Sequence, residues 1–341
     1  MKTLIGFRLY EVPRGPTRQI LLWLMCAMFF SCTSDGFAQN IDRRAWPNTD
    51  FSRTSIDLRE IISGGPGKDG IPAIDQPRFV ALSEYQADPL EPVIGVTVNG
   101  EAKAYPLRVM IWHEIVNDEI GGVPVSVTYC PLCNTSVIFD RRLQGRVLDF
   151  GTTGYLRHSD LIMYDRQTES WWQQYGGTGV VGEYSGQELQ ILASRLESLQ
   201  KFRERAPDGK VLVPNNPRAR NYNANPYAGY DRSAFPFLFN GDVPSGVSPM
   251  MRVVAVENTA VTLPLLMEQK TFRQEDLLIS WEAGQRTALG NARIDRGEDV
   301  GNVTVTRNNE DVPHVVTFAF AFFAFNPQGT LHTENGPVTP Q

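Results

Sequence analysis

Pro92-Val93-Ile94-Gly95-Val96-Thr97-Val98-Asn99-Gly100-Glu101-Ala102-Lys103-Ala104-Tyr105-Pro106-Leu107 places two β-favouring runs on either side of Asn99-Gly100. Asn-Gly accepts positive φ at both central positions, which is the geometry of the two-residue turn whose twist matches that of paired antiparallel strands. The stretch therefore reads as a β-hairpin. A weaker copy follows at Arg252-Val253-Val254-Ala255-Val256, Glu257-Asn258-Thr259 and Ala260-Val261-Thr262-Leu263-Pro264-Leu265. Both units end in an aromatic or Leu, then Pro, then Leu, read here as the close of a second strand, and the echo suggests two related β subdomains.

The same pattern extends outward. Leu161 to Tyr164 and Trp171-Trp172 flank the polar turn Asp165 to Ser170, and Val315 to Phe325 reads as a buried, aromatic-rich strand. One helix is signposted by Ser194 with Glu197 as a capping box, apolar Leu196, Leu199, Phe202 and Ala206, and Pro207 as its stop. The fold class expected is mainly β (α+β), with antiparallel strands and hairpins and few helices. Residues 39–75, rich in Gly, Pro, Asp and Ser, read as an irregular leader crossing the domain surface; 76–330 is the β-rich domain and 331–341 a polar tail.

Residues 1–38 read as a signal peptide: Arg8, Arg14 and Arg18 precede the apolar run Ile20 to Phe30, and Gly36-Phe37-Ala38 offers a small-x-small cleavage site. The run is too short to span a bilayer. The expected location is exported, periplasmic or extracellular, with a lipid anchor on Cys32 as the alternative and the only route to a membrane. Of the four cysteines in 341 residues, cleavage after Ala38 leaves Cys130 and Cys133. The net charge of −6 and the lack of a basic stripe exclude nucleic acid as a partner class. No nucleotide fingerprint, phosphate loop, haem signature or nucleophile elbow is present.

Tyr129-Cys130-Pro131-Leu132-Cys133-Asn134-Thr135 carries the chemistry. Thiols three residues apart, between β-branched flanks, sit in a tight turn that suits a metal knuckle or a dithiol–disulfide couple. Two thiols do not complete a metal site. His113, only 17 residues before Cys130, is the nearest imidazole, and His158 and Asp160 stand in a glycine-flanked polar cluster as further candidates. Trp171, Trp172, Gln173 and Gln174 could line a cleft, with a core role as the alternative.

Taken in order, Tyr105-Pro106-Leu107, Trp112 to Asp118, Gly122 to Val125, Cys130 to Thr135, Phe139-Asp140-Arg141, Ser159-Asp160-Leu161, Met163 to Ser170 and Asn225-Pro226-Tyr227-Ala228-Gly229-Tyr230 resemble the domain of unknown function 3179 family over roughly residues 75–330. The resemblance implies a domain without implying a reaction. It gives weight to His113, Cys130 and Cys133, which fall in the family's motifs. His158 departs from the pattern, where Asn usually precedes the Ser, so a site built on it would be particular to this chain.

The reading that follows is an exported zinc- or copper-binding protein with ligands Cys130, Cys133 and His113, completed by His158 or Asp160. An unknown small molecule or a metal donor would be its partner. The alternatives are a periplasmic dithiol–disulfide oxidoreductase with Cys130 as the attacking thiol, and a non-catalytic ligand-binding module with a static Cys130–Cys133 disulfide. Sequence leaves open whether the protein is an enzyme. The export reading is checked by intact mass: the mature chain is expected to begin at Gln39, and a start at a lipid-bearing Cys32 or at Met1 overturns it.

Overall fold

A computed structural model describes residues 41–340, so the export segment and its cysteines Cys26 and Cys32 lie outside the described residues. The described residues are mainly β, 39% strand and 13% helical, with multiple antiparallel sheets in a propeller-like ring. The Asn99-Gly100 hairpin forms as read: Pro92–Val98 pairs antiparallel with Glu101–Pro106 in register Val98↔Glu101. Both turn residues have positive φ, 48° and 84°.

The echo between the two halves extends to their topology. In the first, Glu101–Pro106 runs directly into helix α1 (Leu107–His113). Arg195–Ser198 then pairs antiparallel with Pro92–Val98, runs into helix α2 (Leu199–Arg205), and Lys210–Val213 returns parallel to Glu101–Pro106. In the second half, Arg252–Val256 pairs with Thr259–Thr262, which runs into helix α3 (Leu263–Gln269). Val315–Phe318 pairs antiparallel with Arg252–Val256, runs into helix α4 (Ala319–Phe325), and Thr330–Thr333 returns parallel to Thr259–Thr262. Arg78–Ala81 and Gly336–Val338 are the corresponding antiparallel edges. Two five-stranded sheets thus share one strand order, including the single parallel pair in each.

The match descends to single residues. Phe202 in α2 and Phe322 in α4 are both buried, and each helix ends by donating the next backbone N–H back to that Phe carbonyl. Ala206-Pro207-Asp208-Gly209 and Asn326-Pro327-Gln328-Gly329 then make the same turn, with Gly209 N–H on Ala206 O and Gly329 N–H on Asn326 O, both at 2.8 to 2.9 Å. Glycine is needed here because the Phe ring lies where a side chain would stand.

Several element boundaries differ from the sequence reading. Ser194 does not cap a helix, because Arg195–Ser198 is recruited as a strand by Pro92–Val98; Ser198 caps α2 instead, accepting from Lys201 N. Pro106 both closes the strand Glu101–Pro106 and stands as the N-cap of α1, whereas Pro264 lies inside the first turn of α3, where proline lacks only an N–H that the turn leaves unpaired anyway. Val315 to Phe325 is a strand only to Phe318. Beyond it α4 is apolar on all sides because Phe320 packs into the main core while Phe322 and Phe323 pack into a second one. The leader contributes the strand Ile61–Ser63 and the buried Trp46, and the expected polar tail forms Thr330–Thr333 and Gly336–Val338.

The remaining sheets hold the motifs. Ile115–Ile120, Val123–Cys130 and Thr135–Asp140 form consecutive hairpins, and Phe150–Arg157, Asp160–Asp165 and Trp171–Gln173 form another run. Trp171 and Trp172 are fully buried, so the paired tryptophans are core. No helix among the described residues is long and apolar enough to cross a membrane.

The duplicated turn predicts matched costs. An added methyl at Gly209 would stand 2.8 Å from the Phe202 ring, and one at Gly329 nearer still to that of Phe322. Gly209→Ala and Gly329→Ala are each expected to destabilise by about 1–3 kcal/mol in chemical denaturation, the usual cost of overpacking. A neutral effect at either position would refute the equivalence.

Candidate functional site

Cys130 is the last residue of Val123–Cys130 and pairs with Thr135, so Pro131-Leu132-Cys133-Asn134 is a four-residue hairpin loop. Its turn closes with Asn134 N–H on Pro131 O, and Asn134 takes φ 55° to return the chain to the next strand. Asn134 is suited to that region because its short polar side chain tolerates it. The amide is also used: Nδ2 donates to Val316 O at 3.0 Å, and Thr317 Oγ1 donates to Cys133 O at 2.8 Å. The thiol loop is thereby pinned to a strand of the second half.

Asp160 arrives from a different hairpin. His158 and Ser159 form the two-residue turn between Arg157 and Asp160, both with positive φ, 51° and 64°. The turn places Ser159 O where it accepts from Cys133 Sγ at 3.3 Å and Cys130 Sγ at 3.8 Å. Asp160 is held by Gln173 Nε2 at 2.6 Å and Tyr175 N at 2.9 Å, both on Oδ2. Thr135 Oγ1 donates to Gln174 Oε1 at 2.7 Å, and Gln174 Nε2 donates to Thr128 Oγ1 at 2.8 Å. Gln173 and Gln174 thus frame the carboxylate and the thiol loop, and Gln173 also lines a neighbouring cavity with Arg157 and Tyr175.

The result is a compact group: one ligand-type atom from each of Cys130, Cys133 and Asp160, all within 4.8 Å of one another and all buried. The two cysteines are free thiols. Burial is the main reason the Cys130 thiol titrates above its usual range, and it holds the Cys133 thiol well above it, with the neighbouring thiol and Asp160 adding repulsion. Burial also pushes Asp160 up to about 6, against the lowering effect of its Gln173 and Tyr175 hydrogen bonds. No Lys or Arg among the described residues forms an ion pair with Asp160.

Neither histidine joins this group. His113 spends both ring nitrogens elsewhere, Nδ1 on Pro72 O at 2.8 Å and Nε2 on Tyr222 OH at 2.9 Å. The expected joining of His113 to both thiols in one group of ligand atoms is not found. The cause is local: Ile74 bridges to Val116 and brings the leader carbonyl of Pro72 onto the helix end that carries His113. His158 points its Nε2 at Glu60, 3.4 Å away, and packs its ring against Phe325 and Phe239. Burial lowers its pKa, as it does that of His113.

The residue that sequence reasoning missed is Glu114, next to His113. It is the C-cap of α1 with φ 58°, its N–H returning to Met110 O and its carbonyl accepting Tyr129 N–H at 2.8 Å. Its side chain is 5% exposed, and no hydrogen bond or ion pair reaches its carboxyl group among the described residues. Burial, with repulsion from Asp160, pushes it up to about 8. Glu114 also lines a cavity of about 540 Å³ together with Leu132, Leu156, Tyr227 and Tyr230. The Asn225-Pro226-Tyr227-Ala228-Gly229-Tyr230 motif thus closes over the face of the thiol loop. Both this motif and the Trp112 to Asp118 motif that contains Glu114 stand in the family pattern, and they are the sequence signals that point here.

Comparison with curated proteins and with solved structures finds no match to this chain. A family model does match, over residues 68–329 and so over the strands, the thiol loop, Glu114 and Asp160 together, and the chain belongs to that family, described as protein of unknown function (DUF3179).

Proposed function

We propose that this protein binds one zinc ion through Cys130, Cys133 and Asp160. The observation that carries the reading is the meeting of three ligand-type atoms within 4.8 Å, supplied by two separate hairpins and set in the core without a basic partner. Buried acidic groups without a base are costly unless they are protonated or share a cation. Two sulfurs with a carboxylate oxygen favour zinc over copper: thiolate suits both metals, but the harder oxygen and the absence of imidazole move the set away from copper. Gln173 and the Tyr175 N–H hold the carboxylate in place, as supporting groups do in metal sites. Three protein ligands leave a fourth position for a water or substrate, which leaves room for either a catalytic or a carrier role.

The dithiol–disulfide alternative has less behind it. Exchange needs a thiolate that an outside disulfide can reach. Cys130 is 2% exposed and Cys133 fully buried, both thiols titrate high, and neither lies at a helix N-terminus. Export, with metal acquired outside the cytoplasm, remains part of the proposal on the strength of residues 1–38.

Metal analysis after purification and zinc loading is expected to give one ion per chain. Cys133→Ser and Asp160→Asn should each weaken zinc binding by at least about 10-fold in competition with a chromophoric chelator, whereas His113→Ala and His158→Ala should leave it unchanged. Equal binding by the Cys133 and Asp160 variants would sink the assignment. Thiol accessibility offers a second check. In metal-free folded protein both thiols are expected to react with a disulfide reagent at least about 10-fold more slowly than in urea-unfolded protein. A fast-reacting Cys130 would move the balance to the redox reading.

A further inference from the structure

The cavity in front of Glu114 is lined by Tyr155, Tyr227, Tyr230 and Phe237, with Leu132, Leu156 and Leu161 between them. Glu114 is the only Asp or Glu in that lining, and no Lys, Arg or His shares it. The volume, about 540 Å³, suits a small molecule. The tyrosines belong to different segments. Tyr155 comes from the Phe150–Arg157 strand, but its ring stacks on Trp171 and its OH accepts from Asp42 N–H, so the free aromatic faces are those of Tyr227 and Tyr230, from the turn before and within the short 3-10 helix Tyr230–Arg232. Tyr230 OH is committed to Phe237 N–H at 3.2 Å, which fixes two of the walls relative to one another. Tyr227 OH, like the Glu114 carboxyl group, has no hydrogen-bond partner among the described residues.

The Glu114 carboxyl group opens onto the cavity with no protein partner among the described residues, so whatever occupies the cavity meets an unpaired acid. Aromatic walls around a single carboxylate answer the requirements of one class of ligand, an organic cation: the ring faces attract positive charge and the carboxylate neutralises it. An anionic ligand would meet Glu114 and, just behind it, Asp160 and the two cysteines with no base to receive it. A neutral ligand would be compatible with Glu114 in its protonated form, whereas a cation draws out the ionised form, so the charge of the ligand is what separates the two.

We infer that this cavity binds a small organic ammonium, with Glu114 as its counter-ion and Tyr227 and Tyr230 as an aromatic surround. The site is separate from the zinc ligands and does not rest on them, although a zinc ion bound to two thiolates and a carboxylate would keep a net negative charge and favour the same ligand sign.

Choline and its neutral isostere 3,3-dimethylbutan-1-ol make the test, since they share shape and differ in charge. Isothermal titration on the mature protein is expected to show choline binding at least about 10-fold tighter than the isostere, with the preference present in both zinc-loaded and chelator-treated samples. Loss of zinc binding with the preference intact would end the metal proposal and leave this one standing. Glu114→Gln is expected to bring the two probes to equal affinity. Tyr227→Leu, which keeps the carboxylate, should weaken choline several-fold without weakening the isostere to the same degree. Equal binding of the two probes to the unaltered protein, no binding of either at millimolar concentration, or a preference that survives Glu114→Gln in a variant with unchanged thermal melting overturns the inference.

Discussion

The bond from Tyr129 N–H to the carbonyl of Glu114, 2.8 Å long, is the joint around which the functional region is built. Glu114 ends α1 in the left-handed region, and only that conformation turns the chain from the helix into Ile115–Ile120 with its carbonyl aimed at the next strand. The Tyr129 bond then fixes the register of Val123–Cys130, and with it the position of Cys130 one residue further on. A helix cap, a buried carboxyl group and a thiol loop are therefore set by a single backbone contact. Any change that lets the cap unwind would shift all three together.

The second half makes the same joint. Lys270 ends α3 with φ 65°, and its carbonyl accepts Trp281 N–H at 2.8 Å. A left-handed cap on a non-glycine residue costs roughly 1 kcal/mol, and finding it twice assigns that cost to the shared architecture and not to the chemistry of Glu114. The difference lies in what each side chain does. Lys270 is exposed, donating to Met267 O and lying over the Trp281 ring, whereas Glu114 is buried against the cavity. After Val123–Cys130 the chain takes the tight Pro131 to Asn134 loop, but after Leu277–Glu282 it takes a long excursion, residues 283–301, before Asn302–Arg307. The two halves keep their frame and diverge where the candidate chemistry sits. The thiols and the buried acid belong to one half only, while the strand that pins their loop, Val315–Phe318, comes from the other.

How far the residues announced this depends on the range of the interaction involved. Asn99-Gly100 is a local signal, since two residues with positive φ decide a turn, and it was legible with its boundaries. Of the seven-residue helices only α2 is legible, with its stop at Pro207 and its start displaced. Each is too short to develop an apolar face, and Ser194 with Glu197 looks like a cap until Pro92–Val98 is known to claim that segment as a strand. The repeated Pro-x-Gly turns at Pro207 and Pro327 were visible in the sequence, but the phenylalanine that makes each glycine necessary is seven residues upstream and its role is a packing fact. At the site, the thiol pair and Asp160 could be named because their residue types carry the chemistry. His113 was preferred for its closeness along the chain, which does not measure closeness in space: Pro72 and Tyr222, 41 and 109 residues away, are what it touches. Glu114 escaped because carboxylates are common, and only burial without a partner sets one apart.

Four acidic side chains, Cys130, Cys133, Asp160 and Glu114, influence one another in the core without a base among them. For each, burial is the largest cause of the upward displacement, so the folded chain keeps protons on Asp160 and Glu114 at pH values where the unfolded carboxyl groups have released them. The sign follows directly: groups whose folded pKa is raised contribute stability that is complete below their unfolded values and is lost as pH rises through the folded ones. For Asp160 and Glu114 that loss spans from near 4 to about 8. Positive charge brought into the region would replace those protons and reverse the trend, which is why a metal ion at the sulfurs and an ammonium at Glu114 are two answers to one electrostatic condition. The condition itself comes from the architecture, which places one cap, one loop and one turn residue against each other and supplies no cation of its own.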